Sequence, residues 1–157
     1  MKSTALDSVD FQIINALIRN GRASFASLGD EVGLSPHGAA DRVRRLVKAG
    51  VIAGFTVRLS LADVGRALDA SIDVRLLPTT APDEFEAFAG SLEAVQEISF
   101  VTGRFDYQVR VACRDRDDLD RTVRALRRDG GAMQTETRIV LRTTRVPQAV
   151  RDHEVAT

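Results

Sequence analysis

The chain has 157 residues, with 22 Lys and Arg balanced by 22 Asp and Glu, and it is 44% apolar and 28% charged. That length holds either one domain with a sizeable core or two small ones. No apolar run approaches the roughly 18 residues that would span a bilayer. The opening "MKSTALDSVDFQ" lacks the apolar core of a signal peptide, and the single cysteine, Cys113, excludes an intramolecular disulfide. A reducing cytoplasm is the expected home. Charge becomes informative when the chain is divided near Ser60. Eight basic and five acidic residues precede that point, a net +3, which leaves −3 for the rest. This asymmetry suits a DNA-facing first part and a second part with another task.

Three helices with clear punctuation are predicted in the first sixty residues. Asp7 is placed to cap the first, with Leu6 stapling onto Phe11, and Phe11, Ile14, Leu17 and Ile18 share one face before Gly21 ends the helix. Ser24 caps a second, short helix carrying Phe25, Leu28 and Val32, and Gly33 follows it in position for the left-handed conformation. Only Leu34 then precedes Ser35 and Pro36, a third start signal. Two helices joined by so short a turn make a helix-turn-helix, and Gly29 allows them to cross closely.

The third helix, within "GLSPHGAADRVRRLVKAGVI", sorts its residues by charge. At about 100° per residue, Ala39, Val43, Leu46 and Val47 fall on one side, and His37, Asp41, Arg44 and Lys48 on the other, flanked by Gly38, Ala40 and Arg45. The N-terminal half of the outward face is small and lightly polar. With Ser35, Gly38 and Asp41 it suits close approach to base edges in a major groove, while Arg44, Arg45 and Lys48 suit phosphates. His37 reads either as a base or phosphate contact or as a solvated helix start. Arg42 lies nearer the buried rim and suits an intramolecular ion pair or an edge phosphate. After Gly50, Ile52, Phe55, Val57 and Leu59 predict a short extended ribbon, giving a winged or tethered head.

From Leu68 the pattern changes. "LDASIDVRLL" alternates as a half-buried strand, with Ala70, Ile72, Val74 and Leu76 inward. "PDEFEAFAGSL" is helical through Phe85, Phe88, Ala89 and Leu92; "VQEISFV" and "YQVRVAC" are strands joined by "TGRFDY"; Asp115 caps a helix with Leu119, Val123 and Leu126; "TETRIVLRTT" is the last strand. The order strand, helix, strand, strand, helix, strand is the ferredoxin-like βαββαβ arrangement, with both helices on one face of an antiparallel sheet. The opposite face, expected to include Ile and Val, predicts pairing with a second copy. The chain is thus expected to be α+β: a helix-turn-helix domain over 1–54, a tether over 55–67, a ferredoxin-like domain over 68–147 and a tail over 148–157.

No catalytic constellation, metal-ligand spacing or phosphate-cradling glycine loop is present in the sequence, and Cys113 reads as a small buried residue. No enzyme, cofactor or metal site is expected.

The patterns "LDSVDFQIINALIRNGRAS", "LGDEVGLSPHGAADRVRRLVKAGVIAGF" and "VTGRFDY" together resemble the Lrp/AsnC, or feast/famine, family of transcriptional regulators over nearly the whole chain. The resemblance implies a DNA-binding head tethered to a domain that senses small molecules, often amino acids, and that forms dimers and in many members octamers. It places effector contacts at the turn between the second and third strands, here Gly103, Arg104, Phe105, Asp106 and Tyr107, and near the start of the last strand, assigned to Ile139 and Val140. Family members that bind amino acids commonly carry an acidic residue where this chain has Arg104. An arginine there suits a carboxylate instead. Asp106 is able to accept from an α-amino group, although Gly103 and Asp106 also suit a plain tight hairpin. The expected partners are double-stranded DNA, a second copy of the chain and a small-molecule effector. The alternative is a small-molecule sensor whose head meets protein rather than DNA.

Overall fold

The computed structural model describes residues 6–144, 146, 149 and 150; most of the expected tail, His153 included, lies outside them. The chain divides into two compact units: a head comprising the residues up to Val57 with the C-terminal segment from 145, and a second unit from Arg58 to Thr144.

The head contains α1 (Ser8–Arg19), α2 (Phe25–Val32) and α3 (Pro36–Lys48). Their start signals act as the sequence predicts. Asp7 accepts from the Asp10 amide at 2.8 Å while the Asp10 carboxylate accepts from the Asp7 amide, a reciprocal capping box. Ser24 and Ser35 accept from the amides of Ser27 and Gly38, each at 3.1 Å. Gly33 ends α2 with φ +71°, a left-handed conformation that a β-carbon would strain. Ile13, Ala16, Leu28, Ala39, Val43 and Leu46 form the core of this unit. Large side chains buried to this extent each contribute about 1.5–3 kcal/mol.

Two details of the head differ from expectation. Ala40 is buried and Val47 is 42% exposed, so α3 is turned toward α1 and α2 on a stripe of two alanines. These small side chains admit closer helix packing than Val47 would. No strand follows α3 before Leu68 among the described residues. A wing needs two paired strands, and residues 53–60 offer one unpaired segment, so the head is a helix-turn-helix followed by a tether.

The second unit contains β1 (Leu68–Leu76), α4 (Pro82–Ser91), β2 (Val95–Phe100), β3 (Tyr107–Cys113), α5 (Arg116–Arg128) and β4 (Ala132–Ile139). The sheet order is β2-β3-β1-β4 with every neighbouring pair antiparallel, as the ferredoxin-like reading requires. Phe85 and Ala89 of α4 and Leu119 and Leu126 of α5 pack on Ala70, Ile72, Val74, Tyr107, Val109 and Val111. Asp115 caps α5 by accepting from the Asp118 amide at 2.7 Å. Asp118 in turn accepts from the Arg114 backbone and from the guanidinium groups of Arg114 and Arg121, which hold its carboxyl well below the usual range. Cys113 is buried, and burial pushes its thiol up, the state of an inert packing residue.

The open sheet face corrects an expectation. It is polar rather than rich in Ile and Val, because the apolar set of β1 and β3, Ala112 aside, is taken up by the helix side. Across it Asp73 pairs with Arg138 and accepts from Gln108 at 3.4 Å, and Asp69 pairs with Arg110 at 3.1 Å. Asp73 is nevertheless buried among these neighbours.

Candidate DNA-binding and effector sites

The outer face of α3 begins with Ser35, Pro36 and His37, all exposed, and with half-buried Gly38. Asp41 lies between two side chains of the same helix: His37 Nε2 is 3.2 Å away, one turn before it, and the Arg44 guanidinium donates to it from the following turn. Arg44 keeps 64% of its side chain exposed. Lys48 is exposed and has no acidic partner among the described residues. Basic side chains late in the helix also complement the negative end of its dipole.

Arg45 is placed differently from its sequence assignment. Its Nη2 reaches both oxygens of the fully buried Asp10 at 2.7 Å. Arg42 donates to Asp10 at 3.0 Å and to Asp7 at 2.6 and 2.7 Å, and its guanidinium holds the Asp7 carboxyl below the usual range. The intramolecular assignment of Arg42 therefore stands, and Arg45 joins it. Together they clamp α3 to the start of α1 and fix which side of α3 faces outward. The sequence carries a partial signal for this in "DSVD", where the aspartate at the third helical position is read first as a cap.

The proposed effector residues fall into two places. In the turn before β3, Gly103 has φ +119° and Arg104 lies over the Phe105 ring, 5.2 Å from its centroid. Asp106 is drawn into the fold: its Oδ2 accepts from the Leu76 amide at 2.8 Å and its own amide donates to Val74 at 2.9 Å. This carboxylate pins the bulge at Arg75/Leu76, which serves the hairpin reading and leaves less of it for a ligand. Tyr107 is buried, its ring centroid 4.7 Å from that of Phe85 and 5.1 Å from that of Phe100, with its hydroxyl donating to Glu86 at 2.7 Å.

Burial, together with the Glu86 carboxylate, pushes the Tyr107 hydroxyl up to about 12. Its ordinary value is about 10, so the folded state keeps a proton that the unfolded state releases. Stability is expected to fall as pH rises between those values, and Tyr107→Phe is expected to abolish that part of the alkaline loss while costing about 1 kcal/mol at pH 7. Thermal melts of both proteins from pH 7 upward test this; parallel curves would refute it.

Ile139 and Val140 are not at the start of the last strand but at its end. Ile139 pairs with Ala70, whereas Tyr107 pairs with Val74 and Ala132 with Leu76. The turn and the Ile139 segment are therefore about 13 Å apart along β1 at some 3.3 Å per residue. One copy of the chain does not bring them together. Ile139 is 54% exposed, and the Val140 amide donates to Asp69 at 2.8 Å. The actual start of β4, at Ala132 and Met133, adjoins an open hollow of about 410 Å³ lined also by Arg124, Arg127 and Arg128.

A capped helix-turn-helix with a basic, clamped third helix, beside a four-stranded α+β domain, defines a DNA-binding regulator with a separate sensing module. Residues 6–47 match the AsnC-type helix-turn-helix domain and residues 69–149 the Lrp/AsnC ligand binding domain. The chain belongs to the Lrp/AsnC family and is an Lrp-type transcriptional regulator. It is 34% identical to the leucine-responsive regulatory protein of Haemophilus influenzae over 89% of this chain and 86% of that protein. The identity to the Escherichia coli protein of the same name is 35% over 87% and 85%. A transcriptional regulator of Neisseria meningitidis, solved as its L-methionine complex, aligns with TM-score 0.87 at 26% identity, covering 94% of this chain and 97% of that one. A feast or famine regulatory protein of M. tuberculosis, also complexed with L-methionine, aligns with TM-score 0.84 at 29% identity, covering 90% and 96%. No helix among the described residues is long and apolar enough to cross a membrane.

Proposed function

We propose that the chain acts as a cytoplasmic homodimer, or an octamer built from dimers, whose two α3 helices enter successive major grooves of a pseudo-palindromic site. Ser35, His37, Gly38 and Asp41 meet base edges; Arg44 and Lys48 meet phosphates; Arg45 holds α3 in register through Asp10. The observation that carries this reading is the clamped helix itself: a small, lightly polar leading half and a basic trailing half turned outward by an ion network. Dimerisation through the open sheet face is supported by its mixed charges, Asp69, Asp73 and Glu136 beside Arg110 and Arg138, which are able to pair across a two-fold axis. The role is regulatory and not catalytic.

The effector is a small molecule of the amino-acid class, by analogy with the relatives solved with L-methionine. Gly103, Arg104, Phe105 and Asp106 supply one wall, with Arg104 suited to the ligand carboxylate. Ile139 and Val140 belong to that site only if they come from a neighbouring copy. Tyr107 supports the wall from behind. Titration calorimetry with a panel of amino acids tests the class, and Arg104→Ala should weaken whichever of them binds.

Fluorescence anisotropy with DNA from upstream of the gene, against a scrambled duplex at several salt concentrations, tests the DNA reading. The Arg44→Ala/Lys48→Ala variant removes four phosphate contacts from a dimer. Its log–log salt slope should be shallower by about 3 to 4. An unchanged slope would return these residues to the solvated surface.

A further inference from the structure

The head carries a second surface that the DNA-binding reading leaves unused. At the edge of the head's core, a groove of about 300 Å³ is lined by Ile14, Leu17, Ile18, Ile52 and Phe55, with Val150 of the C-terminal segment among its walls. Several of these apolar side chains stay substantially exposed, Ile18 at 45% and Phe55 at 57%. Above the groove stands Asn15. Its side-chain nitrogen donates to the Val150 carbonyl at 2.8 Å, and the Val150 amide donates back to Asn15 Oδ1 at 2.8 Å.

This pairing has a chemical meaning. A carboxamide offers one donor and one acceptor side by side, matching the N–H and C=O of one residue in extended chain. It therefore recognises peptide backbone whatever the side chain, as an added β-strand would, while an adjoining apolar groove selects the side chain. A lone polar residue on a helix surface gains little from such an arrangement unless a peptide is there to meet it.

We infer that Asn15 with the adjoining groove is a docking site for peptide backbone, and that the chain's own C-terminal segment docks there through Val150, which closes one wall of the groove. The tail is thereby a releasable part of the head. Two net hydrogen bonds and one partly covered valine favour the docked state only on the order of tenfold to a hundredfold. An equilibrium of that size is readily shifted by a competing contact. The inference stands apart from the DNA-binding reading, since its readouts concern the groove alone.

Hydrogen exchange of the full-length protein, followed by mass spectrometry on the C-terminal peptide, tests it. The Val150 amide should exchange about tenfold or more slowly than in the free peptide. Asn15→Leu, close in size but unable to pair, should abolish that protection while the exchange of α1 stays as in the wild type. If Asn15→Leu perturbs α1, Val150→Pro removes the tail's donor and its valine side chain but keeps the carbonyl that Asn15 donates to, and the weakened docking should make the Asn15 side-chain amide exchange faster in spectra of the labelled protein. Free-peptide exchange at Val150 in the wild type, or protection that survives Asn15→Leu, would overturn the proposal. Protection that rises with protein concentration would also overturn it, giving the groove to the tail of a second copy.

Discussion

Replacing Asp10 by alanine is expected to destabilise the head by about 2–3 kcal/mol and to weaken DNA binding, although Asp10 itself touches no DNA. Its fully buried carboxylate accepts from the Asp7 amide at 3.2 Å and from both Arg42 and Arg45. Charge-assisted hydrogen bonds of this kind are worth about 1.5–3 kcal/mol each, but they do not sum here. Removing one member of a buried ion pair costs about 3–5 kcal/mol when the other charge is stranded away from water. Arg42 and Arg45 keep 27% and 50% of their side chains exposed and recover hydration, which puts the loss at the lower end. Asp10→Asn keeps an acceptor and should lose about half as much. Chemical denaturation of the three proteins gives the stability order, and anisotropy gives the affinity. A melt within about 0.5 kcal/mol of the wild type would show that the clamp contributes little to the fold.

Gly29→Ala should be at least as damaging, by steric crowding rather than charge. A β-carbon there would fall inside van der Waals distance of the Leu34 carbonyl oxygen and 3.2 Å from the backbone carbon and oxygen of Ser35. These atoms belong to the turn between α2 and α3, where the Leu34 amide donates to Gly29 itself at 2.8 Å. Backbone has no alternative rotamer, so the two helices must separate. Overpacking usually costs about 1–3 kcal/mol, and a backbone clash belongs at or above the top of that range. The displaced α3 should bind DNA at least tenfold more weakly even where the head remains folded. Gly38→Ala is the comparison: its β-carbon would lie 3.4 Å from the Ser35 hydroxyl oxygen and 3.8 Å from the Leu34 β-carbon, contacts a helix tolerates. Equal melting temperatures for the two variants would refute the argument.

The parts of this molecule that could be read from its sequence are those whose cause is local. Asp7, Ser24, Ser35 and Pro36 act within three residues of themselves, and β1 and β3 announce their buried face by strict alternation. Arg45 could not be placed that way, because its partner Asp10 is 35 residues distant and the periodicity that puts Arg45 near the outer face says nothing of reach. β4 was misplaced for a different reason. Its residues, "AMQTETRI", are mostly polar, so the apolar run Ile139, Val140 and Leu141 drew the strand too far along, whereas Leu141 is 94% exposed. Ile139 thus ends β4 opposite Ala70, with Val140 just beyond it. The polarity of the open sheet face was missed because it depends on which strands neighbour each other, a property of topology rather than of any one segment.

The composition of the head has a practical consequence for handling the protein. The first and last described residues, Leu6 and Val150, both belong to that unit. A label attached beside Leu6 or Val150 is therefore joined to the module that carries α3. A reporter meant to leave the head undisturbed is better inserted in the second unit at the exposed residues 78 and 79, short of Thr80, which is half-buried and bonded to the Gly131 carbonyl. Cutting a head fragment at Val57 would also discard the residue that Asn15 holds.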